Sequence, residues 1–167
     1  DGKIEAHGLS PSVFKDSDLG DVDVLPDGRL VVVNEDSGQV AILGTNLEAQ
    51  SLFSQSGSDA GELDDPRPLA VSINNTVFVG DVKSKQVSVF NDQGLFLHTI
   101  GRSGNSDDIN GLTHISIDAE ENVYVLEGIG RISIYNFSGE LIARFSAKDL
   151  QQYFGETPEF SAMTTDL

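Results

Sequence analysis

The sequence predicts an all-β fold built from a repeated unit of four short strands. Its apolar runs are about four to eight residues long, rich in Val, Ile, Phe and Tyr, and alternate with a period of two. Three equivalent runs, VVVNE, VFVGD and VYVLE, begin at Val31, Val77 and Val123, so the unit recurs every 46 residues. Turn-forming pairs such as Asp27-Gly28 and Asn74-Asn75 separate consecutive runs. Together these observations predict antiparallel sheets whose strands are joined by hairpins.

The four strands of the unit follow one another in a constant order. The first strands end at Val24, Val71 and Ile117; the second begin at Val31, Val77 and Val123; the third begin at Gln39, Gln86 and Arg131. The fourth runs are NLEAQSLF, GLFLHTIG and GELIARFS. Gly44, Gly94 and Gly139 lie between the third and fourth strands, where the chain must make a tight reversal. Stretches rich in Gly, Ser and Asp connect one unit to the next. No segment has a convincing helical period.

A four-stranded antiparallel sheet that recurs at this spacing is typical of a β-propeller blade. We predict complete blades at residues 21–54, 68–101 and 114–146. In the same phase, residues 1–8 are expected to form the outer strand of an incomplete blade, and residues 159–167 the inner strand of another. The predicted architecture is a single domain that forms a partial propeller ring.

The second unit resembles an NHL repeat. Its sequence, SGSDAGELDDPRPLAVSINNTVFVGDVKSKQVSVFNDQGLFLHTIG, has the glycine-rich lead, the proline and the strand signatures of that family. The third unit lacks the proline and carries Glu127 where the family has Asp, and the first unit diverges further. The resemblance implies a six-bladed propeller, and it implies little about activity.

Three blades do not close a ring. The outer faces of the first and last sheets therefore remain without neighbours. The sequence leaves two explanations open. The chain is part of a longer propeller, or copies associate head to tail until a homo-oligomer completes the ring. In the second case, strands around Met163 and residues 3–6 of neighbouring copies would share one blade.

Composition limits the partners and the compartment. The 167 residues include 27 Asp and Glu against 10 Lys and Arg, giving a net charge of −17, which argues against nucleic acid as a partner. No apolar stretch reaches the roughly 18 residues that a membrane helix needs, so we expect no membrane insertion. The acidic surface and the start at Asp1 favour an extracellular or periplasmic protein, although a high-salt cytoplasm would select a similar surface.

Position in the repeat indicates candidate ligand-binding residues. The inner strand of each blade lines the central channel of a propeller, and the loops that enter it form the face where ligands usually bind. Arg67, His114 and Phe160 fall near the start of this strand in successive units, so we predict that they contact a ligand. A histidine at a strand start also fits a structural, hydrogen-bonded role.

Two groups of carboxylates have distinct expected roles. Asp21 and Asp23 alternate with Val22 and Val24, share one strand face, and could bind Ca²⁺ in the channel; a solvated acidic surface is the alternative. The residues Glu35, Asp81 and Glu127 recur at the end of the second strand. Their recurrence predicts a structural role, in which each carboxylate accepts hydrogen bonds from backbone N–H groups of a neighbouring turn.

Two classes of function fit these predictions. The first is a non-enzymatic binding or scaffold module that presents its channel-entrance loops to a protein, peptide or glycan and requires no cofactor. The second is a metal-dependent propeller hydrolase of the lactonase kind, or a lyase, with Ca²⁺ or Zn²⁺ in the channel. The sequence contains no phosphate-binding loop, HExxH, GxSxG or EF-hand motif, and no catalytic residues are assigned. We therefore favour the binding module.

Overall fold

The computed structural model describes residues 18–101, 108–128 and 130–155, which form twelve strands and one helix. Blade 1 contains β1 (Leu19–Val24), β2 (Leu30–Asn34), β3 (Gln39–Leu43) and β4 (Ala49–Phe53). Blade 2 contains β5 (Pro66–Val71), β6 (Val77–Asp81), β7 (Gln86–Phe90) and β8 (Phe96–Ile100). Blade 3 contains β9 (Leu112–Ile117), β10 (Val123–Glu127), β11 (Arg131–Tyr135) and β12 (Leu141–Ser146), and α1 (Ala147–Phe154) follows it.

Each blade is a four-stranded antiparallel sheet whose strands lie in chain order. The inner strands contact one another in the order β1, β5, β9, so the three sheets lie side by side around a common axis. The prediction of a propeller fragment with three four-stranded blades is confirmed. The strands predicted at residues 1–8 and 159–167, with Met163, lie outside the described residues.

The register of the repeat differs from the sequence alignment in blade 1. Leu30, Val77 and Val123 each pair with the last residue of the preceding inner strand, so the unit recurs after 47 and then 46 residues. The alignment that began β2 at Val31 is therefore wrong by one residue. Alternation could not fix this register, because the run Leu30-Val31-Val32-Val33 is apolar on both faces.

The apolar core lies between the sheets. Between blades 1 and 2 it is formed mainly by Val31, Val33, Val40, Ile42, Leu69, Val71, Val77, Val79 and Phe90. Between blades 2 and 3 it is formed mainly by Phe78, Val87, Val89, Ile115, Ile117, Val123, Val125 and Tyr135. Because blade 2 has a neighbour on each side, every residue of β6 and β7 is buried. This double burial is consistent with the apolar run Val77-Phe78-Val79 in β6.

Helix α1 was not predicted. It begins with a capping box, in which the Ser146 hydroxyl accepts a hydrogen bond from Asp149 N at 3.3 Å and an Asp149 carboxylate oxygen accepts one from Ser146 N at 2.7 Å. It ends at Gly155, which has a φ of 77°. Eight residues form only about two turns, so the helical period is too short to recognise. None of the helices in the described ranges is long and apolar enough to cross a membrane.

Candidate functional site at the channel entrance

The starts of the inner strands and the ends of the second strands meet at one end of the propeller. Here the chain enters β1, β5 and β9 from the loops that precede them, and turns back after β2, β6 and β10. We call this end, with those loops and turns, the entrance face.

Arg67 on β5 lies on the entrance face and links blades 1 and 2. Its Nε donates a hydrogen bond to Asp65 Oδ1 at 2.8 Å, and its Nη2 lies 3.0 Å from Glu35 Oε1, which follows β2. The hydrogen bond to Asp65, with the charges of Asp65 and Glu35, raises the pKa of Arg67 above its ordinary value. The Arg67 side chain nevertheless stays 56% exposed. A charged group is thus held in place and remains accessible.

His114 does not occupy the same place in blade 3. It lies on β9 opposite Leu126, is half-buried, and corresponds in the repeat to Pro68, whereas Arg67 corresponds to Thr113. The inner strands β5 and β9 are each irregular near these residues. In each blade, two residues of the inner strand face one residue of the second strand. Phe160, the third predicted ligand residue, lies outside the described residues.

Asp21 and Asp23 on β1 point across the gap between blades 1 and 2. Their Oδ2 atoms accept hydrogen bonds from Leu69 N at 3.0 Å and from Val71 N at 2.9 Å on β5. Their Oδ1 atoms accept from the backbone N–H of the residue that follows each, at 2.9 and 2.7 Å. All four oxygens therefore accept backbone hydrogen bonds. In the described ranges, no three or more His, Asp or Glu side chains are grouped to hold a metal ion.

The expected structural role is found for Asp81 and Glu127. The Asp81 carboxylate accepts hydrogen bonds from three backbone N–H groups, those of Asp64, Asp65 and Ser84. Glu127 Oε2 accepts from Asn110 N at 2.6 Å, in the loop that precedes β9. Each buried carboxylate thus fastens the loop before its own blade to the second strand, as predicted from the recurrence.

For Glu35 the same prediction is wrong, because the register of blade 1 shifts by one residue. Asn34, at 3% exposure, takes the place of Asp81 and accepts a hydrogen bond from Ser37 N at 3.1 Å. Glu35 instead holds Arg67. The sequence analysis missed this role of Glu35 and that of Asp65. The spacing of Asp65 and Arg67 could have indicated their pairing, since residues two apart on a strand share a face.

The entrance face carries hydrogen-bond donors and acceptors side by side. Lys83 Nζ lies 2.8 Å from Asp64 Oδ2, next to the cluster around Arg67. Around Arg67, the charged residues of blades 1 and 2 on this face include Asp18, Glu35, Asp36, Asp64, Asp65, Lys83 and Lys85. Carboxylates outnumber cations in this set. Such a surface is suited to a polar ligand that both donates and accepts hydrogen bonds, and it disfavours a ligand with negative charge.

Solved structures with a similar fold come from proteins of several kinds. Virginiamycin B lyase from Staphylococcus aureus superposes with a TM-score of 0.62 at 11% identity, over 79% of this chain and 42% of that one. A protein of unknown function from Bacteroides caccae gives 0.60 at 16% identity, over 79% and 47%. Kuenenia stuttgartiensis hydrazine synthase gives 0.61 at 17% identity, over 82% and 39%. At these identities the likeness shows the fold alone.

This chain spans less than half the length of each of these structures. No curated protein sequence matches it significantly. The sequence model of a family described as a 6-bladed beta-propeller, DUF5128, matches residues 63–158, which include blades 2 and 3 and helix α1. Since this match covers more than half of the chain, and the three sheets have the architecture that the family requires, the chain belongs to this six-bladed β-propeller family.

Proposed function

We propose that this part of the propeller is a non-enzymatic binding module whose entrance face binds a segment of a partner protein or peptide. The observation that carries the proposal is Arg67, which is held by carboxylates of two blades and is still more than half exposed. Holding the guanidinium in place lowers the entropy that binding costs. Arginine is also among the residues that contribute most to protein interfaces.

The surroundings of Arg67 support a peptide over other ligands. A peptide backbone presents carbonyl oxygens to the guanidinium and N–H groups to the carboxylates of Glu35, Asp64 and Asp65, so it matches both kinds of group. A glycan offers hydroxyl groups with the same capacity. The chain contains no tryptophan, the residue that most often stacks against sugar rings, and this favours the peptide.

A metal-dependent hydrolase or lyase is the second candidate, with Asp21 and Asp23 as ligands of a channel Ca²⁺. Two carboxylates on one face of an inner strand support it, because hard oxygen ligands suit this ion. A metal at this position would have to replace hydrogen bonds that these carboxylates accept from β5. The binding module needs no such rearrangement.

The test is a screen of peptide and glycan arrays with the 167-residue chain, followed by titration of the strongest hits. We expect Arg67→Ala to weaken binding of a peptide hit about tenfold or more. Lys148→Ala is the matched control, because it removes a positive charge from the exposed surface of α1, beyond the outer strand of blade 3. This control should bind as the unmodified chain does.

Three outcomes would contradict the proposal in whole or in part. Peptide hits that bind Arg67→Ala as tightly as the unmodified chain would place the binding surface elsewhere. A rise in melting temperature with Ca²⁺ that disappears in Asp21→Asn/Asp23→Asn, together with hydrolysis or elimination of an array ligand, would instead support the enzyme. Binding confined to glycans would retain the entrance face as the site and reject the peptide as its ligand.

A further inference from the structure

A groove of about 400 Å³ lies on the outer part of blade 2, away from the channel. It opens between the loop that precedes β5 and the two outer strands, β7 and β8. Its lining includes Ser58, Asp59, Gln86, Phe96, His98 and Thr99. We call it the Gln86 groove. Its volume is at the lower end of the range for sites that bind small molecules or single side chains.

Gln86 lines the groove with an unsatisfied polar group. The side chain is 4% exposed, and its Oε1 has no hydrogen-bond partner among the residues that the structure describes. Ser88 Oγ, two residues further along β7, is buried and lacks a partner in the same way. A buried acceptor without a donor destabilises a folded protein, so native structures usually supply a donor. Gln86 borders the groove, so a donor bound there supplies this hydrogen bond once the amide, whose oxygen is covered in the free chain, turns outward.

The corresponding place in blade 3 contains a cation that belongs to the chain. Gln86 pairs with Asp81 at the end of the second strand, and Arg131 pairs with Glu127 in the same way. The Arg131 guanidinium donates to both Glu127 carboxylate oxygens, at 2.9 and 2.5 Å, and to the carbonyl oxygen of Asp108 at 3.2 Å. In blade 3 a guanidinium therefore bridges the sheet and the loop that precedes the blade.

In blade 2 the shorter, uncharged Gln86 takes the place of Arg131, and no described residue brings a cation to the equivalent space between sheet and loop. The groups that line the Gln86 groove are suited to binding a cation. Asp59 brings a carboxylate, Gln86 an amide oxygen, and Phe96 an aromatic ring whose face attracts positive charge. His98 is a wall of the groove, since its Nε2 is engaged with the carbonyl oxygen of Phe137 at 2.6 Å. Among the residues that the structure describes, no lysine or arginine lines the groove.

We propose that the Gln86 groove binds an ammonium or guanidinium group, such as the side chain of a lysine or arginine on a partner protein. The cation takes the place in blade 2 that Arg131 fills in blade 3, donates to Gln86 Oε1, and lies near the Asp59 carboxylate. The net charge of −17 raises the local concentration of cations around the chain and favours their approach. This inference does not depend on Arg67 or on the ligand of the entrance face.

The experiment uses N-acetyl-lysine methylamide and N-acetyl-arginine methylamide as probes, with N-acetyl-norleucine methylamide as the uncharged analogue. Titrations of the 167-residue chain, followed by NMR, should shift the signals of the residues that line the groove with a Kd of about 1 mM, a typical weak affinity. The norleucine analogue should bind at least tenfold more weakly. Titration with n-butylammonium distinguishes a lysine side chain of a partner protein from a small free amine as the natural ligand. If n-butylammonium binds more weakly than the lysine probe, the ligand is a protein side chain; if the two bind equally, it is a small free amine.

Two variants connect this binding to the groove. Gln86→Leu should weaken binding of the lysine probe about tenfold, and Asp59→Asn, on an exposed loop, should weaken it and reduce its dependence on salt concentration. Gln50→Leu, an exposed position on β4, is the matched control and should leave the affinity unchanged. Equal binding of the norleucine analogue, shifts outside the groove, or unchanged affinity in Asp59→Asn would overturn the proposal.

Discussion

At the scale of single residues, half-buried carboxylates connect neighbouring blades by hydrogen bonds. Asp21 and Asp23 join the inner strand of blade 1 to that of blade 2. Glu121, in the hairpin between β9 and β10, accepts hydrogen bonds from the hydroxyl groups of Ser72 and Thr76 in blade 2. The acidic composition is thus partly structural, since the backbone N–H groups and hydroxyl groups between blades need acceptors.

We expect Asp23→Ala to lower the free energy of unfolding by about 2 kcal/mol, because Val71 N loses a charged acceptor in a half-buried position. Urea denaturation followed by circular dichroism measures this change. Glu48→Ala removes an exposed carboxylate from the turn before β4 and should alter stability by less than about 0.5 kcal/mol. Equal stability of the two variants would show that the hydrogen bond from Val71 N to Asp23 does not stabilise the contact between blades 1 and 2.

The sequence predicted some of these contacts and missed others for a physical reason. Asp81 and Glu127 bond a loop of their own blade, so their recurrence at one position of the repeat was sufficient to identify them. Asp21 and Asp23 bond a different blade. Their partners depend on how two sheets are placed side by side, and the periodicity of one strand carries no information on that placement.

At the scale of the elements, the close approach of β6 to its neighbours requires glycine. A Cβ atom at Gly80 would lie 2.5 Å from Pro68 Cγ and 2.7 Å from Leu112 Cδ2, where β5 and β9 are irregular. The irregular starts of two inner strands thus bring side chains of blades 2 and 3 against the backbone of β6. Glycine provides the space that this packing needs.

Gly80→Ala should therefore destabilise the chain by about 1–3 kcal/mol, since the methyl group has no room without shifting either Pro68 or Leu112. Thermal and urea denaturation measure the change. Gly128→Ala is the matched control, because its nearest atoms would lie at an ordinary contact distance of 3.4 Å. Equal stability of the two variants would mean that Pro68 and Leu112 leave enough space at Gly80 for a methyl group.

Strands were easier to predict than their register or the helix. A recurrence near 46 residues and an alternating pattern identify four strands per unit, because every blade has the same four strands and packs against its neighbour in the same way. The register of β2 and the existence of α1 each depend on features that occur once. These are an apolar run without alternation at residues 30–33, and a capping box at Ser146 and Asp149.

At the scale of the whole molecule, the described residues form three blades of a family whose rings have six. The face of blade 1 that points away from blade 2 retains exposed apolar side chains, with Val22 at 56% and Val24 at 52%. Exposed apolar groups on an open sheet favour association. The missing neighbours can come from further residues of a longer chain or from a second copy.

We expect the 167-residue chain, prepared by itself, to form a particle of about twice its mass of 17.9 kDa. Sedimentation equilibrium measures the mass over a range of concentrations. Val22→Lys/Val24→Lys should shift the particle toward the monomer, whereas Leu95→Lys, at an exposed apolar position in the hairpin between β7 and β8, should not. A monomer at all concentrations would argue against completion of the ring by a second copy.

The location of the apolar core between the sheets has a further consequence. Each of the two larger hydrophobic layers belongs to two blades at once, and only a small cluster of Val32, Ala41 and Leu43 lies within one blade, so a blade loses most of its interior if its neighbour is removed. The smallest unit that can fold cooperatively is therefore a pair of adjacent blades, and stability is transmitted only between nearest neighbours. Loss of blade 2 would remove both layers together, and would leave two solitary sheets with nothing to cover them.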